Sequence, residues 1–205
     1  MSATARRGGF TATSRCSQRW SVRSRALDGI AEIIDDGLPV GLVTIGALHV
    51  PDHLEMVSTG EVVQLTAENF APVATNNVTY RDLTAADVPA MLELVALTRP
   101  GPFAERTREM GHYVGVFDGV RLIAMTGERL RLDGYGEISA VCTHSDYQGR
   151  GLAKALVSAI GAEIVARGEV PFLQAYTSNA AAIATYARLG FVPRRNLVFT
   201  MVRRR

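Results

Sequence analysis

The stretch that most limits how this chain can fold runs from Glu137 to Ala153, E-I-S-A-V-C-T-H-S-D-Y-Q-G-R-G-L-A. It opens as an apolar, strand-like run, passes through a polar turn, and enters a helical pattern across Gly149 and Gly151. A strand, a glycine turn and a helix in that order build an anion site from backbone alone. The first N–H groups of a helix have no intrahelical partner, and the helix dipole places partial positive charge at the same end. A phosphate fits that vacancy. Glycine at 149 and 151 removes side chains that would hold a phosphate off the amides, and Arg150 can add a charge-assisted contact.

The spacing fits neither of the common phosphate loops. A P-loop needs Lys-Ser or Lys-Thr after its second glycine, and the dinucleotide fingerprint needs a different glycine pattern. Further along, Asn179 opens a second helical stretch, N-A-A-A-I-A-T-Y-A-R-L-G-F, with Tyr186 seven residues on. Seven residues is about two turns, so Asn179 and Tyr186 project from one face. Gly190 stands where a left-handed helix stop is expected. A strand-like P-F-L-Q-A-Y-T separates the two motifs.

Gln148-x-x-Gly151-x-Ala153 resembles the pyrophosphate loop of the GNAT N-acetyltransferase superfamily. Asn179, Tyr186 and Gly190-Phe191 resemble its second motif. The resemblance covers Val78 to the C-terminus, and L-T-R-P-G-P-F at 97–103 with the run ending at His144 looks most like an uncharacterised group of bacterial members with a variable N-terminal half. It implies acetyl-CoA as co-substrate, bound by Gln148, Gly149, Arg150, Gly151, Leu152 and Ala153 at its diphosphate. It also implies that Val141, Cys142 and Thr143 pair with the pantetheine arm through their backbone, and that Asn179 holds a pantetheine amide. Tyr186 is the implied acid for the departing thiolate, its phenol of free pKa about 10 being suited to a thiol leaving group. A backbone N–H near Val141 or Cys142 would polarise the carbonyl.

The base is left open among three readings. Glu137 stands eleven residues before Gln148, the offset at which histone-type members of the superfamily carry a glutamate base. His144 is a second candidate, and water is the third. Cys142 invites a nucleophile reading, but the resemblance implies direct transfer without a covalent enzyme intermediate. None of these tasks needs a metal. Arg99, Arg106 and Arg108 could clamp a substrate carboxylate, which points to an amino-acid-like amine.

Around these motifs the pattern predicts a strand at 78–83 and a helix from a Thr84–Asp87 capping box to about Leu97. Arg99-Pro-Gly-Pro-Phe103 breaks that helix, and a short irregular helix follows to Met110. Strands at 112–117 and 120–132 join at Asp118-Gly119, a hairpin signal. The remaining elements are the strand from Glu137, a helix over 149–167, a strand at 172–176, the Asn179 helix and a last strand at 197–202. This order gives an α/β (α+β) fold, a mixed, mostly antiparallel sheet flanked by helices, which is also the order of the superfamily.

Upstream, 27–34 reads as a short helix closed by Asp35, Asp36 and Gly37, and 38–50 and 61–66 read as strands. Residues 28–76 are therefore expected as a small αβ region packed on the main domain, 77–205, with 71–77 as linker. Residues 1–27 hold six arginines and no acid and are expected to be disordered; an organellar presequence has a similar composition.

Charge separates the function classes. The chain holds 22 cationic and 20 acidic residues, but its two ends, 1–27 and 194–205, take 11 of the cations and none of the acids. An acidic body argues against a nucleic-acid footprint and favours a cationic or amine substrate. With two distant cysteines and no apolar run of membrane length, a cytoplasmic protein with no membrane partner is expected. A homodimer is left open. Three functions compete: an N-acetyltransferase acting on a small-molecule amine, a non-catalytic acyl-CoA-binding regulatory module, and, last, a transferase acting on charged tRNA through the basic ends.

Overall fold

The structure, a computed structural model, describes residues 27, 29–30, 34, 39–74 and 77–205. Residues 1–26 and most of the helix expected over 27–34, with its stop at 35–37, lie outside the described residues. The strands are β1 (Val40–Thr44), β2 (Leu54–Thr66), β3 (Arg81–Asp82), β4 (Tyr113–Asp118), β5 (Arg121–Leu132), β6 (Tyr135–Thr143), β7 (Val170–Tyr176) and β8 (Val192–Arg204). The helices are α1 (Val88–Thr98), α2 (Leu152–Ala166) and α3 (Ala180–Ala187). The chain divides into two units, Glu61–Leu197 and Met1–Gly60 with Val198–Arg205, and the long strands β2 and β8 contribute one end to each.

In the larger unit the strands lie in the order β8-β2-β7-β6-β5-β4-β3. The pairs β2–β7, β3–β4, β4–β5 and β5–β6 are antiparallel and β6–β7 is parallel, so the sheet is mixed and mostly antiparallel as expected. Each face buries its own core. On one, α2 and α3 cover Leu65, Ile138, Leu173 and Phe191 with Leu156, Ile160 and Ile164, spaced four apart along one stripe of α2. On the other, α1 brings Met91 and Leu94 against Leu83, Tyr113, Met125 and Cys142. Each fully buried Leu or Ile of this kind contributes about 1.5–3 kcal/mol.

Local chemistry sets the element ends. The Thr84 N–H donates to Asp87 at 2.7 Å while Arg81 grips the same carboxylate from outside at 2.7 Å, closing the expected capping box. That box starts a 3-10 turn at Ala85–Asp87, and Pro89 sits in the first turn of α1, where its missing N–H costs nothing. The 105–110 segment is 3-10 rather than α. Glu128, buried in β5, takes Arg131 at 2.8 Å and Arg167 at 2.6 Å, tying the chain just past the C-terminus of α2 to the sheet.

Several strands differ from their sequence pattern. The strand expected over 38–50 stops at Thr44, because Gly46 turns at φ +78. The one expected at 61–66 begins at Leu54, through a polar stretch with no alternation to announce it. The strand at 78–83 shrinks to Arg81–Asp82, and the last strand lengthens to Val192–Arg204. In the smaller unit, β1 pairs antiparallel with β8 from Val40↔Val202 to Thr44↔Val198, and Ile34, Leu54 and Val202 form its core.

Candidate active site

β6 and β7 pair over three residues only, Tyr135–Glu137 against Val170–Phe172. β7 keeps its pairing with β2 as far as Tyr176, but loses β6 after Phe172. Among the described residues, the β6 edge from Ile138 to Thr143 therefore has no strand beside it. An extended, amide-bearing ligand can pair there in place of the missing strand.

β6 also carries a bulge. Met125 pairs with Cys142 and Gly127 with Ser139, so Ala140 and Val141 together oppose one residue, and Ala140 takes the left-handed φ of +52. The extra residue reverses the alternation of side chains. Val141 and Thr143 reach the α2 side of the sheet, while Cys142 drops into the core under α1. The Thr143 hydroxyl oxygen is buried without a hydrogen-bond partner among the described residues.

The turn that follows leaves its backbone amides uncovered. Gly149 and Gly151 both adopt φ +77, which side-chain-bearing residues rarely adopt, and a Cβ on either would point into open space. α2 begins at Leu152, so the N–H groups of Leu152, Ala153 and Lys154 lack intrahelical acceptors. Arg150 folds back on its own loop, donating to the Asp146 carbonyl at 3.1 Å and stacking on Tyr147.

Across from this loop, Asn179 caps α3 by accepting from the Ala182 N–H at 3.1 Å. Its amide nitrogen makes no hydrogen bond among the described residues. The helix ends as Gly190 turns at φ +87, with Gly190 N–H donating to the Ala187 carbonyl and Phe191 N–H to the Tyr186 carbonyl, a Schellman motif. A Cβ at Gly190 would collide with the Asn69 carbonyl oxygen. That stop seats Phe191 edge-on to Tyr186.

These elements enclose a cleft of about 540 Å³. Of the residues singled out by sequence, it gathers Val141, Thr143, Gln148, Gly149, Gly151, Leu152, Ala153, Asn179 and Tyr186. Cys142, Arg150 and Glu137 do not line it. Tyr147, Lys154, Ala181, Ala182, Thr185 and Arg188 line it as well. Lys154 had a sequence signal that went unread: it is the only lysine of the chain and stands three residues past Gly151. Arg188, two residues past Tyr186, carries no comparable mark.

The titratable groups are held in distinct ways. Burial pushes the Tyr186 phenol up to about 12, so it keeps its proton through the neutral range. Burial likewise pushes the Cys142 thiol up to about 11, which leaves almost no thiolate for a nucleophilic role. Glu137 is 1% exposed and receives two hydrogen bonds from Arg129, one on each oxygen, at 2.9 and 3.1 Å. The His144 Nε2 faces the Arg121 guanidinium at 2.7 Å. That guanidinium and the Asp146 N–H, 3.3 Å from Nδ1, compete for the one lone pair of a neutral imidazole, and the shorter contact to the always-protonated arginine takes it at Nε2. Of the three arginines weighed as a carboxylate clamp, Arg106 pairs with Glu109 and Arg108 donates to the Leu83 carbonyl.

Comparison with known proteins agrees with this geometry. The family model described as FR47-like protein matches residues 113–200. N-alpha-acetyltransferase RimI of Mycobacterium tuberculosis (strain ATCC 25618 / H37Rv) is 35% identical over 130 residues, covering 57% of this chain and 80% of that protein. Among solved structures, a putative acetyltransferase from the GNAT family of Novosphingobium aromaticivorans DSM 12444 superposes with a TM-score of 0.78 at 36% identity. That match covers 86% of this chain and 80% of the other. The ribosomal-protein-S18-alanine N-acetyltransferase of Escherichia coli superposes at 0.51 with 25% identity, covering 62% of this chain and 92% of its own. A strand edge opened beside a bulge, a glycine loop starting a helix and an Asn-to-Tyr helix across one cleft thus occur in a chain that belongs to the GNAT superfamily of N-acetyltransferases.

Proposed function

We propose that this acetyltransferase moves an acetyl group directly from acetyl-CoA to the primary amine of a small, amino-acid-like molecule. The observation that carries the reading is the convergence on one cleft of unpaired loop amides, an unpaired β6 edge, the Thr143 hydroxyl, Asn179 and Tyr186. Each has a counterpart on a CoA thioester: diphosphate for the amides, pantetheine amides for the strand edge and Asn179. Acetyl-CoA supplies an activated thioester. The chain supplies position and proton control. As the amine nitrogen bonds to the acetyl carbon and the carbon–sulfur bond breaks, Tyr186 donates a hydrogen bond to the departing sulfur and passes it a proton, which the proton lost by the amine replaces. Water carries the proton of the amine, because both oxygens of Glu137 and the Nε2 of His144 already accept from arginine.

A second acceptor reading rests on the likeness to the RimI protein, whose name describes an N-alpha-acetyltransferase. On that reading the acceptor is the α-amine of a polypeptide. Both readings are tested by release of free thiol from acetyl-CoA across amino acids, polyamines, aminoglycosides and short peptides of varied N-terminal residue. Turnover on single amines supports the first reading, and turnover on peptides alone replaces it with the second. Binding of CoA without turnover on any amine leaves the non-catalytic module.

A further inference from the structure

The turn that carries the chain from β6 into the glycine loop is held from outside by the end of the β4–β5 hairpin. Asp118 and Arg121 are register partners there, across Gly119 and Val120. Arg121 donates to His144 Nε2 at 2.7 Å, and the Tyr147 hydroxyl donates to the Asp118 carboxylate. His144 and Tyr147 are the two ends of one 3-10 turn, His144 its N-cap and Tyr147 its last residue. The His144 N–H also donates to the Ile123 carbonyl of β5 at 2.8 Å. Among the described residues, the other side-chain hydrogen bonds of 143–150 stay within the loop: the Ser145 hydroxyl and His144 Nδ1 with Asp146, Gln148 on the Thr143 carbonyl and Arg150 on the Asp146 carbonyl. Asp118 and Arg121 stand 29 and 23 residues before their partners, outside both cleft motifs, and neither lines the cleft.

We propose that Asp118 and Arg121 are positioning residues for the donor: they fix the 144–147 turn so that the amides from Gly149 to Ala153 face the cleft before a ligand arrives. The inference rests on the CoA reading of the cleft. Gly149 and Gly151 both turn at φ +77, and glycine has the most backbone freedom to lose on ordering. A loop with two glycines that orders only on binding takes that entropy out of the affinity, whereas one ordered beforehand does not. Clamping both ends of the preceding turn orders it beforehand. Tyr147 carries the clamp to the site: its ring lines the cleft and supports the Arg150 guanidinium, 4.6 Å from the ring centre, while its hydroxyl is tied to Asp118. The consequence is that two residues outside the cleft set donor affinity through the diphosphate part of the molecule, and leave the pantetheine part, beside β6 and Asn179, untouched.

The experiment is calorimetric titration of the full chain with CoA, and competition against CoA by ADP and by pantetheine, which carry and lack the diphosphate. Asp118→Ala and Arg121→Ala are each expected to weaken CoA and ADP alike by roughly fivefold, with pantetheine affinity and melting temperature held. Asp118→Asn keeps an oxygen acceptor for the Tyr147 hydroxyl and should bind CoA as wild type does. Tyr147→Phe keeps the ring and should weaken CoA as Asp118→Ala does, and the double variant should lose no more than either alone. Unchanged CoA affinity in both alanine variants overturns the clamp and leaves the CoA reading standing. An equal loss of ADP and pantetheine, or a Tm lower by several degrees, assigns the two residues to general stability and also overturns it. A deficit in Asp118→Asn as large as in Asp118→Ala attributes the effect to charge and overturns the hydrogen-bonded clamp. Failure of wild type to bind CoA overturns the CoA reading itself.

Discussion

The two faces of β6 make opposite use of polar groups. Toward α2, Val141 and Thr143 open on a cleft with an orphaned hydroxyl, unpaired amides and cations without counter-charges. Toward α1, Glu137 is sealed with Arg129, and Cys142 and Tyr113 sit in a dry core, the Tyr113 phenol pushed by burial to about 12. Buried polar groups normally find partners, and each face leaves one buried hydroxyl unmet, Thr143 toward α2 and Tyr113 toward α1; toward α2 that hydroxyl lies beside an open cleft with unpaired helix amides, the arrangement a ligand can complete. The closed face holds the sheet in shape, and the open face offers its polar groups to a ligand.

The comparison breaks most visibly at Glu137. Glu137→Gln leaves Arg129 without its counter-charge beneath the sheet and is expected to cost about 3 kcal/mol in urea unfolding. If Glu137 instead serves as the base, kcat falls and the acidic limb of the pH profile disappears while stability holds. On the open face, Tyr186→Phe is expected to lower kcat about a hundredfold while the KM for acetyl-CoA moves little. Wild-type kcat should also hold on the alkaline side past pH 9, since the phenol is pushed up to about 12. A Tyr186→Phe variant of near-normal kcat removes the tyrosine from the reaction.

Gly151→Ala sharpens the comparison on a smaller scale. A side chain at φ +77 costs about 1–2 kcal/mol, and it is expected to weaken CoA binding about tenfold through displaced amides, seen by titration. Smallest is the effect of the clasp in which His112 sits between Glu163 of α2 and Asp82 at 2.8 and 3.0 Å. Burial lowers its pKa, but the two carboxylates outweigh burial and hold it above the usual histidine value. A raised folded pKa means stability present below about pH 6.5 and lost as pH rises through the folded value. His112→Gln should therefore lower Tm by a degree or two at pH 5.5 and converge with wild type at high pH. A gap that widens with pH rejects the clasp.

Much of the larger unit could be read from the sequence because its signals are local. Gly149 and Gly151 announced a phosphate-sized turn, Asp118-Gly119 a hairpin, Thr84 and Asp87 a cap, and Gly190 a helix stop, each through backbone sterics or a hydrogen bond within a few residues. The polar N-terminal part of β2 and the full length of β8 were not legible, because pairing with distant strands decides them.

By itself the sequence determined the motifs, their order and the family-like spacing of Asn179 and Tyr186, since helical period and glycine conformations are properties of short segments. Only the tertiary structure decided which groups meet. The bulge at Ala140 turned Cys142 away from the cleft, Arg129 came eight residues back along the chain to cover both oxygens of Glu137, and Arg188 arrived opposite Lys154. Those outcomes depend on strand register and on contacts between residues far apart in the chain, which no local pattern encodes.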